Sequence, residues 1–571
     1  MKLSGKPRQV RNGHSRGATK RTAALLALAA GLALAATIIA VDGIEEEASA
    51  AGTTIVVTGA SDDINGDTSS AQALAANPGM DGVSFGEAIE VANNDPGAYS
   101  IGFAAGLKGK TITLRRIPVL AGGGVSIEGD IDGDGGPDVR LGNGQQTRWS
   151  RGIQISSSGN RLHGLILQGF ATGVAIDADA TQGDVLPTHR TLADNVISNL
   201  RIRDSRVNSV ALVSSASTAC GLPDPDPCRT YNAFQDTTIA DNTVVRSGGI
   251  GLSLGNSGDR IERATITGND IQLQKAGYLG GITVEQGGDP GTDGVPAPIS
   301  EVLIANNTIE GKGRGMEGIA VAAGVGRAQG NTTEGVRVRG NRVKLVRPGR
   351  RDCVACQGIV LRAGSDTAEA TEPGLRPRLT PDRNLLRDVK VTGNRVSGEL
   401  DFGVFVQAGG GGAAGSRNRV REVTVERNVI TSRDVAKAVA LETGGAHYGR
   451  RWATGNLITD LTLRSNTIEN GSGHRPRGKL AEQAGVLLKG GDDRSRRGLI
   501  RDVVIKRNRI KNRLKAVRAG IKLIGGRGRT AKNNRVACVR LAGNRVKGTP
   551  RAVSVRSNLE GSTNRASRGG C

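Results

Sequence analysis

One phrase recurs along this chain and limits what it can fold into. It is an alternating apolar strand, often a Gly, then Asn, one variable residue, and Ile or Val. From residue 200 onward it reads ATITGNDI, EVLIANNTI, GVRVRGNRV, DVKVTGNRV, EVTVERNVI, DLTLRSNTI, DVVIKRNRI and CVRLAGNRV, with TTIADNTV as an earlier copy. Its Asn residues are Asn242, Asn269, Asn307, Asn341, Asn394, Asn428, Asn466, Asn508 and Asn544. Ser205 takes the slot in the weaker copy LRIRDSRV. A second phrase lies between successive Asn residues, as in GITVEQGG, GIAVAAG, GIVLRAG, GVFVQAG, AVALETGG, GVLLKGG and GIKLIGG. Both phrases alternate apolar and variable residues, the period of a strand. The Asn spacing runs from 27 to 53 residues, so the strands are constant and the corners vary.

Short strands repeated in one order, with no helical period between them, cannot make βαβ units. Antiparallel pairing would alternate the direction of equivalent phrases and scatter the Asn residues. Parallel stacking puts like on like. Val, Ile and Leu then form continuous inner columns, and the Asn amides form a ladder from coil to coil. The expectation is an all-β solenoid, a parallel β-helix rising about 4.8 Å per coil. Composition agrees. Gly makes up 85 of 571 residues, which suits a corner at each strand end, and aromatics are only 2%, which suits stacked aliphatic columns.

On these phrases, roughly residues 110–560 resemble the right-handed parallel β-helix proteins of the pectate-lyase-like superfamily. The resemblance implies a single-stranded right-handed β-helix. It does not imply one activity, because the fold hosts lyases, hydrolases, adhesins and surface proteins. Upstream, Ile55 to Thr58 reads as a strand and Val83 to Asn94 as a short amphipathic helix. This stretch is similar to the CSLREA-type region that opens many bacterial β-helix proteins, matching it at Ser84, Glu87, Ala88, Ile89, Ala92 and Asn93 and departing at Val83 and Gly86. Residues 51–110 are therefore read as an N-terminal helical cap over an open strand edge, and residues 111–571 as the β-helix with variable loops.

Residues 1–22 carry seven bases and no acid, Ala23 to Val41 is uncharged and rich in Ala and Leu, and Ala48-Ser49-Ala50 ends the segment. These are the parts of a secretory signal peptide over residues 1–50; an uncleaved, outward-facing membrane anchor is the alternative. No other apolar run approaches membrane length. Export makes disulfides the expected state of Cys220, Cys228, Cys353, Cys356, Cys538 and Cys571. Cys220 and Cys228 bracket a Pro-rich loop, Cys353 and Cys356 staple another, and Cys571 can staple the tail to Cys538.

Asp130, Asp132, Asp134 and Asp138, with Gly at the sixth position, resemble the start of a Ca²⁺ loop, but position 12 is Leu141. A turn rich in Asx and Gly is the alternative. Aligning the second phrase places Glu285, Ala322, Arg362, Gln407, Glu442, Lys489 and Ile524 at equivalent positions. Arg362, Gln407, Glu442 and Lys489 then form a polar stripe suited to a sugar polymer, or simply a solvated strand end. Glu285 and Glu442 stand four coils apart, about 19 Å, too far for paired glycosidase carboxylates at about 5–10 Å. Long loops leave the same corner, and the loop holding His447, Tyr448, Arg450 and Trp452 offers rings to stack on sugars and a guanidinium for carboxylates.

The formal charge of +23 invites an anionic partner. Nucleic acid is not expected, since no motif supports it and aromatics to stack bases are few. The expectation is a secreted, monomeric protein that binds, or also cleaves, an extracellular acidic polysaccharide or cell-surface component. If catalytic, it is a polysaccharide lyase or glycoside hydrolase. The alternative is a non-catalytic surface adhesin or structural spacer.

Overall fold

The computed structural model describes residues 52–571 except 96, 146, 148, 179–189, 215–231, 256–257, 274–279, 288–296, 314, 326–327, 347–355, 367–381, 412–414, 433–436, 445–452, 472–482, 493, 514–516, 518, 528–529, 557–564 and 567–571. Its elements belong to one compact unit, Thr53–Cys571. The expected signal segment, residues 1–50, lies outside the described residues.

The repeated phrases become three long sheets, here A, B and C, of 22, 13 and 13 strands among the described residues. One coil shows the course. Leu303–Ala305 lies in sheet A, Thr308–Lys312 in B and Glu317–Val325 in C, before Thr332–Glu334 and Arg337–Arg339 return to A. Pairing between coils is parallel and in register, as in Thr308↔Arg342↔Arg395 of sheet B. Parallel order brings the inner residues into columns. Ile266, Ile304, Val338, Val391, Val425 and Leu463 stack in sheet A, each at most 1% exposed. Burying each such side chain contributes about 1.5–3 kcal/mol, and the columns merge into one core along the solenoid.

The corner between sheets A and B explains the Gly-Asn signature. The residue before each ladder Asn holds a left-handed backbone, with φ of 65° at Gly340 and 67° at Gly393, where Gly is least strained. The next Asn turns inward and joins a ladder. The Nδ2 of Asn341 donates to Oδ1 of Asn394 at 3.0 Å, Asn394 to Asn428 at 3.0 Å, and Asn428 to Asn466 at 3.0 Å. Each backbone N–H donates to the same oxygen, as from Asn341 to Asn394 at 2.9 Å. The ladder runs unbroken from Asn242 to Asn544.

A second ladder stands at the corner between sheets C and A, where sequence reading placed none. Asn384 Nδ2 donates to Asn418 Oδ1 at 3.0 Å, and the Asn418 amide N–H to Asn456 Oδ1 at 3.0 Å. Its signal was present: Asn384, Asn418 and Asn456 each precede Asn394, Asn428 and Asn466 by ten residues.

Sheet A starts within the segment read as a cap, since Thr53–Val57 pairs with Tyr99–Phe103, and that strand with Val125–Glu128. Between them lie helices α1 (Ala71–Ala76) and α2 (Phe85–Asn94). Ser84 starts α2 with a capping box: its hydroxyl accepts from the Glu87 N–H at 3.2 Å, and Glu87 Oε2 accepts from the Ser84 N–H at 2.8 Å. Ala88, Ile89 and Ala92 face the core. Asn93 ties the helix to the coil beside it, donating to the Val119 carbonyl and accepting from the N–H groups of Ala121 and Gly122.

Candidate functional site

The outer face of sheet C carries the aligned residues. Pairing places Glu285, Ala322, Arg362, Gln407, Glu442, Lys489 and Ile524 in one row, as the phrase alignment predicts. A second outer row precedes it, made of Glu317, Gln357, Phe402, Lys437 and Ala484. The Gly of the second phrase separates the rows. A Cβ at Gly358 would stand 2.3 Å from Val396 Cγ1, and one at Gly403 2.3 Å from Ile430 Cγ2. Sheet B packs too close there for a side chain. Between the rows runs a small apolar strip, Ala320, Val360, Phe405, Ala440 and Leu487, distinct from the main core.

The stripe is not an open polar bed. Arg362, Glu442 and Lys489 are largely covered and have ion-pair partners, with Lys489 only 2% exposed. Arg362 forms an ion pair with Glu317 and donates to Gln357 Oε1 at 3.1 Å. Glu442 lies between Lys437 at 2.8 Å and Lys489 at 3.1 Å, and Lys489 also reaches Asp492 at 2.8 Å. Phe402 stacks on Phe405 with centroids 4.3 Å apart, and the Lys437 ammonium sits 5.0 Å over the Phe402 ring. The charges of Arg362, Glu442 and Lys489 are thus met by neighbouring side chains.

Glu285 differs from the rest. Burial pushes its carboxyl above the ordinary glutamate range, the Glu317 carboxylate adds to this, and Arg362 opposes it. A carboxyl whose charged form is disfavoured by burial thus stands near a carboxylate that is ion-paired with a guanidinium. That combination can donate a proton and orient a polar ligand. Glu317, Gln357 and Lys437 escaped the sequence alignment, although each directly precedes the Gly or Ala that opens the second phrase.

The remaining candidates divide. His447, Tyr448, Arg450 and Trp452 lie outside the described residues, as do Cys220, Cys228, Cys353 and Cys571. Cys356 is buried and Cys538 half-buried. Asp130, Asp132 and Asp138 offer carboxylate oxygens within 4.8 Å of one another, while Asp134 is not part of that group. Asp134 instead accepts from the Gly136 N–H at 2.7 Å, and Asp130 from those of Gly133 at 2.9 Å and Gly135 at 2.8 Å. The Lys108 ammonium pairs with both Asp132 and Asp138, the latter at 3.1 Å. The carboxylates hold the Lys108 pKa well above the usual lysine range. These donors do not fit a calcium ion as they stand, since it would have to displace a built-in cation.

No protein-family model and no curated protein matches the sequence. Solved structures do resemble it. The A-module of mannuronan C-5 epimerase from Azotobacter vinelandii is 13% identical, with 82% of this chain and 91% of that one covered at a TM-score of 0.33. The catalytic unit of an α-1,3-glucanase from Streptomyces thermodiastaticus is 13% identical, with 87% and 69% covered at 0.36. An endo-xylogalacturonan hydrolase from Aspergillus tubingensis is 12% identical, with 90% and 99% covered at 0.31. The parallel, in-register stacking of three long sheets makes the fold a parallel β-helix. At these identities the likeness is one of fold. Among the described residues no helix is long and apolar enough to cross a membrane.

Proposed function

We propose that this is an exported β-helix protein that binds a polysaccharide along the outer face of sheet C. The observation that carries the reading is the Glu285–Glu317–Arg362 group beside a stacked aromatic pair. Glu285, Glu317, Arg362 and Phe402 are half-buried rather than fully covered, and an aromatic edge beside polar groups suits a chain of sugar rings, whose faces are apolar and whose edges are hydroxylated. If the bound chain is cleaved, Glu285 is the proton donor of choice. Export through the segment 1–50 and disulfides among the six cysteines belong to the same reading. Amino-terminal sequencing of the mature protein and peptide mapping without reductant test them.

The test of function is a screen of the full mature chain against neutral and acidic glycans, with product analysis. Binding that weakens at least tenfold in Glu317→Gln or Trp452→Ala supports the reading. Product that appears with the native chain and not with Glu285→Gln adds cleavage, and an unsaturated-uronate absorbance makes it a lyase. No binding to any glycan overturns it. The pairing of Glu442, Lys437 and Lys489 with one another favours the second reading, an adhesin or spacer whose charges serve only to hold the coils.

A further inference from the structure

The basic charge of the chain is not explained by sheet C, where Arg362, Lys437 and Lys489 all have carboxylate partners. Much of sheet A is balanced too: Arg263 pairs with Asp236 at 2.7 Å and Arg337 with Asp388 at 2.7 Å, and Arg387 and Arg464 pair with Glu334 and Glu426. The outer face of sheet B is different. One of its columns runs Arg342, Arg395, Val429, Thr467, Arg509, Arg545, each residue in register with the next. All six are exposed. The four arginines have no ion-pair partner among the described residues. The adjacent column is partly balanced, Lys344 pairing with Glu310 at 3.2 Å and Lys511 with Glu469 at 3.7 Å, and it ends in Lys547, exposed and in register with Lys511. Around the C-terminal end of the column lies a groove of about 360 Å³, lined by Thr467, Glu469, Arg509, Lys511, Arg545 and Lys547.

We propose that this column is a docking track for a linear acidic polysaccharide laid along the solenoid axis, on a face separate from sheet C. Five intervals of about 4.8 Å make a track of about 24 Å. The charges stand in two pairs, one coil apart within each pair, and a uronate polymer repeats one carboxylate per sugar ring at a comparable step. Guanidinium groups bind carboxylates in planar, two-pronged pairs. Between the two arginine pairs, Val429 and Thr467 present methyl groups against which a ring face can rest. Nucleic acid is the poorer occupant, because neither outer column of sheet B carries an aromatic side chain on which a base could stack. Among the described residues no ion pair of these four arginines has to be broken before a carboxylate binds.

The test uses the full mature chain and fluorescently labelled oligogalacturonates, read by polarisation over a range of salt. The native chain is expected to bind with a steep loss of affinity as salt rises. Arg509→Gln with Arg545→Gln should weaken binding at least tenfold and lower the slope of log affinity against log salt by about two. Arg342→Gln with Arg395→Gln should weaken long oligomers and leave short ones unchanged. Exposed side chains without partners leave melting temperature unaffected, which separates lost binding from lost folding. Arg535→Gln with Arg540→Gln removes the same charge from exposed positions of sheet A and should change nothing; an equal loss there overturns the track in favour of net charge alone. Binding of single-stranded DNA as tight as that of the uronate also overturns it, as does no binding to oligogalacturonate. Glycan binding lost in Glu317→Gln and kept in Arg509→Gln with Arg545→Gln sinks the track and leaves the sheet C reading standing; the converse sinks the sheet C reading and leaves the track, so the two can fail separately.

Discussion

Asn394 shows how much one side chain carries in a stacked fold. Its Nδ2 donates to Asn428 Oδ1 at 3.0 Å and to the Val338 carbonyl at 2.9 Å, and its Oδ1 accepts from the Asn341 N–H at 2.9 Å and Nδ2 at 3.0 Å. All of this is buried. Asn394→Ala therefore leaves several polar groups without water or partner, and it is expected to lower stability by about 2–4 kcal/mol. Urea denaturation checks this, and a change below about 0.5 kcal/mol, typical of a plain surface substitution, would show that the ladder is decorative. Asn394→Asp should be worse, because a carboxylate cannot donate to Asn428 and brings a charge into the core. Glu285 sets a second test, in pH. Its carboxyl titrates above the ordinary value of 4.5 because of burial first and Glu317 second. The folded protein then keeps a proton that the unfolded chain has released, so this group makes stability fall as pH rises above about 4.5, and it has no effect below that value where both states are protonated. Glu285→Gln is expected to flatten that part of the pH profile of melting temperature and to leave acid stability unchanged. An unaltered profile would mean that Glu285 meets water freely.

At the scale of elements, helix α2 depends on two side chains. Ser84 and Glu87 close the capping box, and Ser84→Ala is expected to cost about 1 kcal/mol. Glu87→Ala should cost more, because Glu87 Oε1 also accepts from the N–H groups of Asn65 at 2.8 Å and Gly66 at 2.6 Å. Melting of the two variants ranks them; an order reversed from this would mean that the capping box, not the loop, is what Glu87 holds. The same elements show what sequence can reveal. The strands of sheets A and B were legible because an inner column needs an apolar residue at every second position, and the ladder because Asn, whose carboxamide both donates and accepts, recurs in one slot. The C-to-A corner was harder to see. Asp259, Ala297 and Gly498 interrupt its Asn series, so the ten-residue echo keeps its spacing but not its residue type. Sheet C was half legible. Its inner alternation and the Arg362 row follow period 2, but the bend at Gly358 and Gly403 breaks that period and hid the row of Glu317 and Lys437. That these rows pair with each other could not be read at all, because residues such as Arg362 and Glu317 are 45 positions apart and meet only when coils stack in register.

At the scale of the whole molecule, a solenoid is close to one-dimensional: each coil is held by its two neighbours, so the ends are held by one. The two ends of this chain are finished differently. At the N-terminal end Phe85 of α2 lies against Phe103, centroids 5.8 Å apart, and the first inner residues, Val57, Ile101 and Ile112, are fully buried. At the C-terminal end the inner residues Leu541, Val546 and Val553 are only partly buried, and Val555 is 40% exposed. Opening should therefore start at the C-terminal coils and run inward. Hydrogen exchange is expected to show the least protection over residues 539–556 and rising protection toward the middle coils. Asn544→Ala, at the exposed end of the ladder, should then cost less than Asn394→Ala. The proposed Cys538–Cys571 staple acts at this same end, where closing the tail back on the last coils limits how far they can part. Reduction should speed exchange over 539–556 and leave the N-terminal coils unchanged. A uniform rise along the chain would mean that the coils open together, and equal protection at both ends would mean that α2 does not shield the N-terminal end.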